Sequence, residues 1–243
     1  MPVLSSILKN IVPKKPPACT AVIAAAGISV RCEGEDKLFY TVNDKPVLAY
    51  TLEPFNACEL VNEIIIVANK ERIESIGQLC VQYGFDKVSK IMEGGSTRLE
   101  SVMNGVYAVS GRSGLIAIHD GARPCIDIEI INETIKKAAV CHAAAPAAAI
   151  ASTVKKVDGG VITETINREG LYEIQTPQVF RAEIIKGALS NAAKKSINVT
   201  DDCMAVEAIG VPVYITQGSR KNIKITDNRD FRIAEALLNE EFF

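Results

Sequence analysis

The feature that most constrains this chain is an alternation. From residue 19 onward, short apolar runs take turns with longer stretches of helical periodicity. The runs predict strands over Ala21–Ala25, Glu63–Ala68, Lys87–Met92, Gly114–His119 and Pro146–Ser152, with later ones near Val211–Thr216 and Asn222–Ile225. Between them, Thr97–Val109 shows the helical pattern: Leu99, Val102, Met103 and Val106 fall at i, i+3, i+4 and i+7, on one face. Strands separated by helices of this length need right-handed crossovers. The expectation is therefore an α/β fold, with a mostly parallel sheet covered by helices on both faces. Ligands of such sheets lie beyond the carboxyl ends of the strands.

One stretch departs from the alternation. Residues 153–178 read as a hairpin, with β-branched residues on either side of Asp158-Gly159. The unpaired edges of an exposed hairpin invite a partner, so a projecting β-arm and a homodimer are expected. Residues 1–18 carry Lys9, Lys14 and Lys15 among Pro13, Pro16 and Pro17 and read as an N-terminal extension. Their apolar run is too short and interrupted for a secretory or membrane segment. Residues 19–243 then form one domain, which a chain of 243 residues with 48% hydrophobic content can support.

Charge narrows the partners. With 27 Lys plus Arg against 29 Asp plus Glu, no broad basic surface is available for a nucleic-acid backbone. A small anion held by a few local cations is compatible with that balance. The 7 cysteines are odd in number, scattered and without C-x-x-C spacing, which predicts free thiols and a reducing cytoplasm.

Several segments carry candidate chemistry at the expected rim. Ala24-Ala25-Ala26-Gly27 follows the first strand, where small residues let backbone N–H groups approach a polyphosphate, and Arg31 and Lys37 follow as cations. The same small residues suit any tight strand-to-helix turn, and neither standard phosphate-loop pattern is present. Gly94-Gly95-Ser96-Thr97-Arg98 with Ser101 opens a helix and serves equally as a plain N-cap or as a set of donors to a base or phosphate. His119-Asp120-Gly121-Ala122-Arg123-Pro124 puts a carboxylate at a strand end, where it could hold a magnesium ion or a ribose hydroxyl, or cap a turn. Asn167-Arg168-Glu169-Gly170 and Gln175-Thr176-Pro177-Gln178 lie on and after the arm, and Lys224 precedes a helix whose cap is read as Thr226. Of the two histidines, His142 falls at an alanine-rich helix end, and His119 is read as orienting its strand end.

Together and in this order, Ala24-Ala25-Ala26-Gly27…Arg31…Lys37, Gly94-Gly95…Arg98…Ser101-Val102, His119 to Pro124, Thr176-Pro177-Gln178 and Asn222-Ile223-Lys224-Ile225-Thr226 resemble the 2-C-methyl-D-erythritol 4-phosphate cytidylyltransferase family. The likeness runs from residue 20 to about residue 240. It implies a Rossmann-like nucleotidyltransferase sheet and transfer of a cytidylyl group from CTP to methylerythritol phosphate, with release of pyrophosphate and a divalent cation, Mg²⁺, as cofactor.

The resemblance implies that Arg31 and Lys37 stabilise the transition state while Arg168 and Lys224 position the acceptor phosphate. It assigns Ala25, Ala26, Gly27, Gly94, Ser96, Ser101 and Asp120 to the nucleotide. Asp120 is also the metal candidate, and Thr153, Arg123 and Thr176 border the acceptor. Because Arg168 sits on the arm, it would serve the partner's site. Two residues depart from the family pattern: Ser29 replaces a usual second glycine, and Asp36 replaces a common proline and sets an anion beside Lys37. Two other readings share the architecture: a ribitol 5-phosphate cytidylyltransferase, and a nucleotide-binding regulatory protein without turnover.

Overall fold

The computed structural model describes residues 16–27 and 36–239. In chain order the first half comprises β1 (Cys19–Ala25), β2 (Thr41–Val42), β3 (Lys45–Pro46), α1 (Val47–Ala57), β4 (Val61–Ala68), α2 (Ile73–Gln82), β5 (Val88–Glu93), α3 (Arg98–Ala108) and β6 (Leu115–Asp120). The second half comprises α4 (Ile128–Cys141), β7 (Ala143–Ala149), β8 (Val154–Asp158), β9 (Val161–Ile166), β10 (Tyr172–Ile174), β11 (Gln178–Arg181), α5 (Ala182–Lys194), α6 (Asp202–Glu207), β12 (Tyr214–Gln217) and α7 (Asn228–Leu238).

The main sheet runs β10-β7-β11-β6-β1-β4-β5, with β12 also paired to β7. The β6-β1-β4-β5 half is parallel, as is β12 on β7, whereas β11 and β10 run antiparallel to their neighbours. Strand alternation divides the core between the two faces. Ala21, Ile23, Ile64 and Ile66 pack with Leu52 and Phe55 of α1, Ile131 and Ile135 of α4, and Phe231 of α7. Val22, Ile65, Val67 and Ile118 face Val102 and Val106 of α3 and Ile185 and Leu189 of α5. On that second face Gly105 lets α3 lie close: a Cβ there would fall 2.5 Å from Val22 Cγ1 and 2.7 Å from Val67 Cγ2.

Several details differ from the sequence expectation, among them the strand expected near Val211–Thr216, which runs over Tyr214–Gln217. The alanine-rich strand occupies Ala143–Ala149 rather than Pro146–Ser152, because α4 stops at Cys141 and His142 turns the chain with φ 74 directly into the sheet. Asn222–Ile225 is a bonded connector rather than a strand, with Asn222 N donating to Ser219 O and Ile225 N to Ala122 O. The cap of α7 is Asp227, which forms a capping box with Asp230, while Thr226 also donates to the Asp230 carboxylate.

The hairpin is present as β8 and β9 in a two-stranded sheet of their own, joined through Gly159 and Gly160, whose φ values of 54 and 82 need no Cβ penalty. The projecting piece is shorter than 153–178: Tyr172–Ile174 returns to pair with β7, and Gln178 opens β11 beside β6. Val157, Val161 and Ile162 on the hairpin are 55%, 66% and 60% exposed. Among the described residues, six cysteines are free thiols, and no helix is long and apolar enough to cross a membrane.

Candidate active site

The parallel strands deliver their carboxyl ends to one rim, and backbone bonds tie those ends together. Gly94 N donates to Ala68 O at 2.9 Å, joining the ends of β5 and β4, and Gly121 N donates to Ala24 O at 2.9 Å, joining β6 to β1. Above this rim opens a cavity of about 470 Å³, lined by Ala24 to Gly27, Lys37, Asn69, Ser96, Arg98, Ser101, Asp120 and Lys224 among others. Eight of the residues singled out from the sequence, Ala25, Ala26, Gly27, Lys37, Ser96, Ser101, Asp120 and Lys224, thus meet in one place. Gly94 sits beneath: a Cβ on it would come within 2.7 Å of both Ala26 Cβ and Ser101 Oγ.

The helix opening contributes an ordered wall. Thr97 and Glu100 form a reciprocal capping box at the start of α3, and Glu100 Oε2 also accepts from Ser96 N and Ser96 Oγ. Ser101 Oγ donates to Thr97 O at 2.9 Å and accepts from Gly95 N at 3.1 Å. The N-cap reading of this segment is therefore correct, and the cap is also what sets Ser96 and Ser101 on the cavity wall.

Asp120 is the electrostatic centre. Its Oδ2 lies 3.0 Å from Lys224 Nζ and 3.4 Å from Arg123 Nε, and its backbone N donates to Thr176 Oγ1 at 3.2 Å. Burial alone would raise this carboxyl, but Lys224, Arg98 and Arg123 outweigh burial and hold it well below the usual carboxylate range. Arg123 is itself buried, and its NH1 donates to Asn222 O at 2.6 Å, so Asp120 is anchored to the connector that carries Lys224.

Behind Asp120, His119 is fully buried, with Nδ1 2.8 Å from Thr176 Oγ1 and its ring tilted against Phe55. Burial drives its imidazole down to about 3, so the ring is neutral and holds Thr176 in place. Thr176 Oγ1 in turn accepts from Asp120 N at the end of β6, so the His119 ring is linked to the strand end through Thr176.

Other expected residues stand elsewhere. Thr176 and Arg123 support Asp120 from behind rather than line the cavity. Thr153 and Arg168 lie at the base and turn of the arm, away from the cavity lining, and Arg168 donates to the Ala151 carbonyl. Arg31 and Ser29 lie outside the described residues. Asp36, next to Lys37 in the chain, is engaged by other groups. Its Oδ2 pairs with Arg72 Nε at 2.5 Å, and its Oδ1 accepts from Leu38 N at 3.1 Å.

Sequence reasoning named Arg98 without its partner. Its guanidinium makes two bonds to the buried Asp202, at 3.1 and 2.8 Å, and Gln178 Oε1 accepts from the backbone N–H groups of Asp202 and Cys203. The only available signal was the Asp201-Asp202 pair before a short helix, which carries nothing that points to position 98.

Among the described residues no cluster of three or more His, Cys, Asp or Glu could hold a metal ion. Asp120 is an ionised carboxylate facing the cavity, and magnesium commonly takes one or two carboxylates with substrate phosphate oxygens completing its shell. The donor set fits a cation that arrives with a nucleotide rather than one caged by protein.

Sequence and fold comparisons identify the proteins that this chain is similar to. The sequence profile described as 2-C-methyl-D-erythritol 4-phosphate cytidylyltransferase matches residues 19–240. Proteins of that name from Halalkalibacterium halodurans and Dehalococcoides mccartyi are 40% and 42% identical, covering 91% and 90% of this chain and 97% and 96% of their own lengths. A crystal structure of 4-diphosphocytidyl-2C-methyl-D-erythritol synthase from Anaerococcus prevotii superposes with a TM-score of 0.82 at 30% identity, covering 92% of this chain and 96% of that one. The Thermus thermophilus 2-C-methyl-D-erythritol 4-phosphate cytidylyltransferase gives a TM-score of 0.74 at 28% identity, covering 90% and 98%. On sequence and fold alike, the chain belongs to the 2-C-methyl-D-erythritol 4-phosphate cytidylyltransferase family.

Proposed function

We propose that the protein transfers the cytidylyl group of CTP to the phosphate of 2-C-methyl-D-erythritol 4-phosphate, releasing pyrophosphate in non-mevalonate isoprenoid synthesis. The observation that carries this reading is the gathering of Lys37, Arg98 and Lys224 with Asp120 in one cavity at the strand ends. In the reaction, an acceptor phosphate oxygen forms a bond to the α-phosphorus of CTP, and the bond to the β-phosphate oxygen breaks. The electron pair leaves with pyrophosphate. A phosphate monoester has a second pKa near 6, so its attacking oxygen is already ionised and no general base is needed. A neutral, buried His119 suits such chemistry.

Catalysis then rests on holding two anions together and stabilising the charge that develops around phosphorus. Lys37, beside the Ala25–Gly27 turn, acts on the nucleotide phosphates. Lys224, fixed by Asp120, is aimed at the acceptor, with Arg123 keeping Asp120 in register. Gly94, Ser96 and Ser101 shape the wall for cytosine and ribose. A magnesium ion held by Asp120 and the phosphates would neutralise part of the triphosphate charge.

The exposed apolar residues of the β8-β9 hairpin support a homodimer in which the arm packs on a second copy. In that arrangement Thr153 and Arg168 reach the neighbouring cavity, and the guanidinium fork of Arg168 grips the acceptor phosphate. The free thiols support a cytoplasmic setting.

The test is pyrophosphate release from CTP and Mg²⁺ with each of two acceptors. Release is expected to be fastest with methylerythritol phosphate. Faster release with ribitol 5-phosphate would reassign the acceptor, and CTP binding without release from either would leave a binding protein.

A further inference from the structure

Arg72 occupies a position with no assigned role. It ends the short 3₁₀ turn Lys70–Arg72 that follows β4, and its side chain reaches two segments at once. Its Nε pairs with Asp36 Oδ2 at 2.5 Å, and its NH1 donates to Gly27 O at 3.2 Å. Gly27 lies two residues beyond β1, and Asp36 begins the turn that carries Lys37; both Gly27 and Lys37 line the cavity. One guanidinium therefore binds the two flanking pieces of the nucleotide wall to each other and to the end of β4.

We propose that Arg72 is a positioning residue for cytidylyl transfer: acting through Asp36 and Gly27, it sets Lys37 and the Gly27 backbone at the spacing that the CTP phosphates require. The proposal rests on the cytidylyltransferase reading.

Two observations separate this from an ordinary surface ion pair, which contributes little. First, both side chains are partly buried, at 16% and 29% exposed, and Arg72 is shared between two partners. Second, Asp36 is an organising residue in its own right. Its carboxylate accepts from Leu38 N, and its backbone carbonyl accepts from Phe39 N and Tyr40 N, both at 2.9 Å. The Lys37 turn is thus built on Asp36, and Asp36 is held by Arg72. The arginine fork suits this task because its donors leave one plane in fixed directions. An anion beside Lys37, unfavourable when read along the sequence, becomes the handle by which the turn is held.

The test combines R72Q, R72K, D36N and the double variant R72Q/D36N. CTP affinity is measured by calorimetry with Mg²⁺, and steady-state constants are measured for both substrates. R72Q and D36N are each expected to weaken CTP binding about tenfold, close to 1.4 kcal/mol. The double variant should be no weaker than the worse single, and the KM for methylerythritol phosphate should stay within about twofold. R72K, which keeps charge but not the fork, should fall between wild type and R72Q.

Unchanged CTP affinity in R72Q and D36N would overturn the proposal, as would additive losses. A parallel fall in affinity for both substrates together with a lowered melting temperature would also overturn it, since that marks a merely structural contact. Because CTP binding is read directly, absence of turnover in the wild type would sink the cytidylyltransferase reading while leaving the role of Arg72 in nucleotide binding separately decided.

Discussion

Lys37 and Lys224 line the same cavity, and the proposed reaction gives them different tasks. Lys37 adjoins Asp36, which Arg72 holds, whereas Lys224 is paired with Asp120 at 3.0 Å. Replacing Lys37 with alanine is expected to lower kcat by about 10²-fold or more, because charge stabilisation at phosphorus is lost only in the transition state. Replacing Lys224 with alanine should chiefly raise the KM for the acceptor. Steady-state constants for both substrates check this; equal and mild effects of the two changes would contradict the division. At this scale the sequence singled out residues that the fold brings to one cavity, but not how they are held. The motif around Gly94 displayed Arg98 and the last motif displayed Lys224. Asp202 and Arg72 were invisible, because partners 104 positions away for Asp202, and 36 and 45 positions away for Arg72, leave no local pattern.

Among the elements, α3 was the most legible, since its capping Thr97, the i, i+3, i+4, i+7 stripe and its end at Val109 agree with one another. Gly105 adds a packing constraint on that helix. A G105A variant should lose roughly 1–3 kcal/mol of stability, because its methyl group would press on Val22 and Val67. Urea denaturation measures the loss; an unchanged midpoint would show that α3 can move outward freely. Strand β7 was the least legible. Its alanines favour helix intrinsically, and burial on both faces removes the alternation that marks a half-exposed strand. Only its neighbours β10, β11 and β12 make it a strand, and that information is tertiary. The connector Asn222–Ile225 misled in the opposite direction: its spaced isoleucines look like a strand, yet Ile225 N bonds to Ala122 O in place of a ladder.

At the scale of the whole molecule, buried titratable groups link stability to pH. His119 binds its proton near pH 6.5 when unfolded but only at about 3 when folded, so the unfolded state takes up more protons between these values. Stability should therefore fall as pH drops through that window, by up to about 1.4 kcal/mol per pH unit from this group. Asp120, whose folded pKa is depressed, acts in the same direction below about pH 4, the unfolded carboxylate range. Unfolding midpoints compared near pH 7 and about pH 4.5 measure the slope. An H119N variant should flatten it, and a slope unchanged by that substitution would mean that other groups dominate.

The architecture itself was legible because the alternation of runs and helices admits few topologies. The closing of the cavity was not, since it depends on the far end of the chain. Tyr40, just after the Lys37 turn, stacks on Phe231 of α7 with ring centroids 3.9 Å apart, and Lys224 lies on the connector leading into that same helix. A ribosome making this protein therefore releases the nucleotide wall long before the residues that brace it. The strands of the first half can pair early, but the cavity gains Lys224 and the Tyr40–Phe231 stack only after synthesis has passed residue 231.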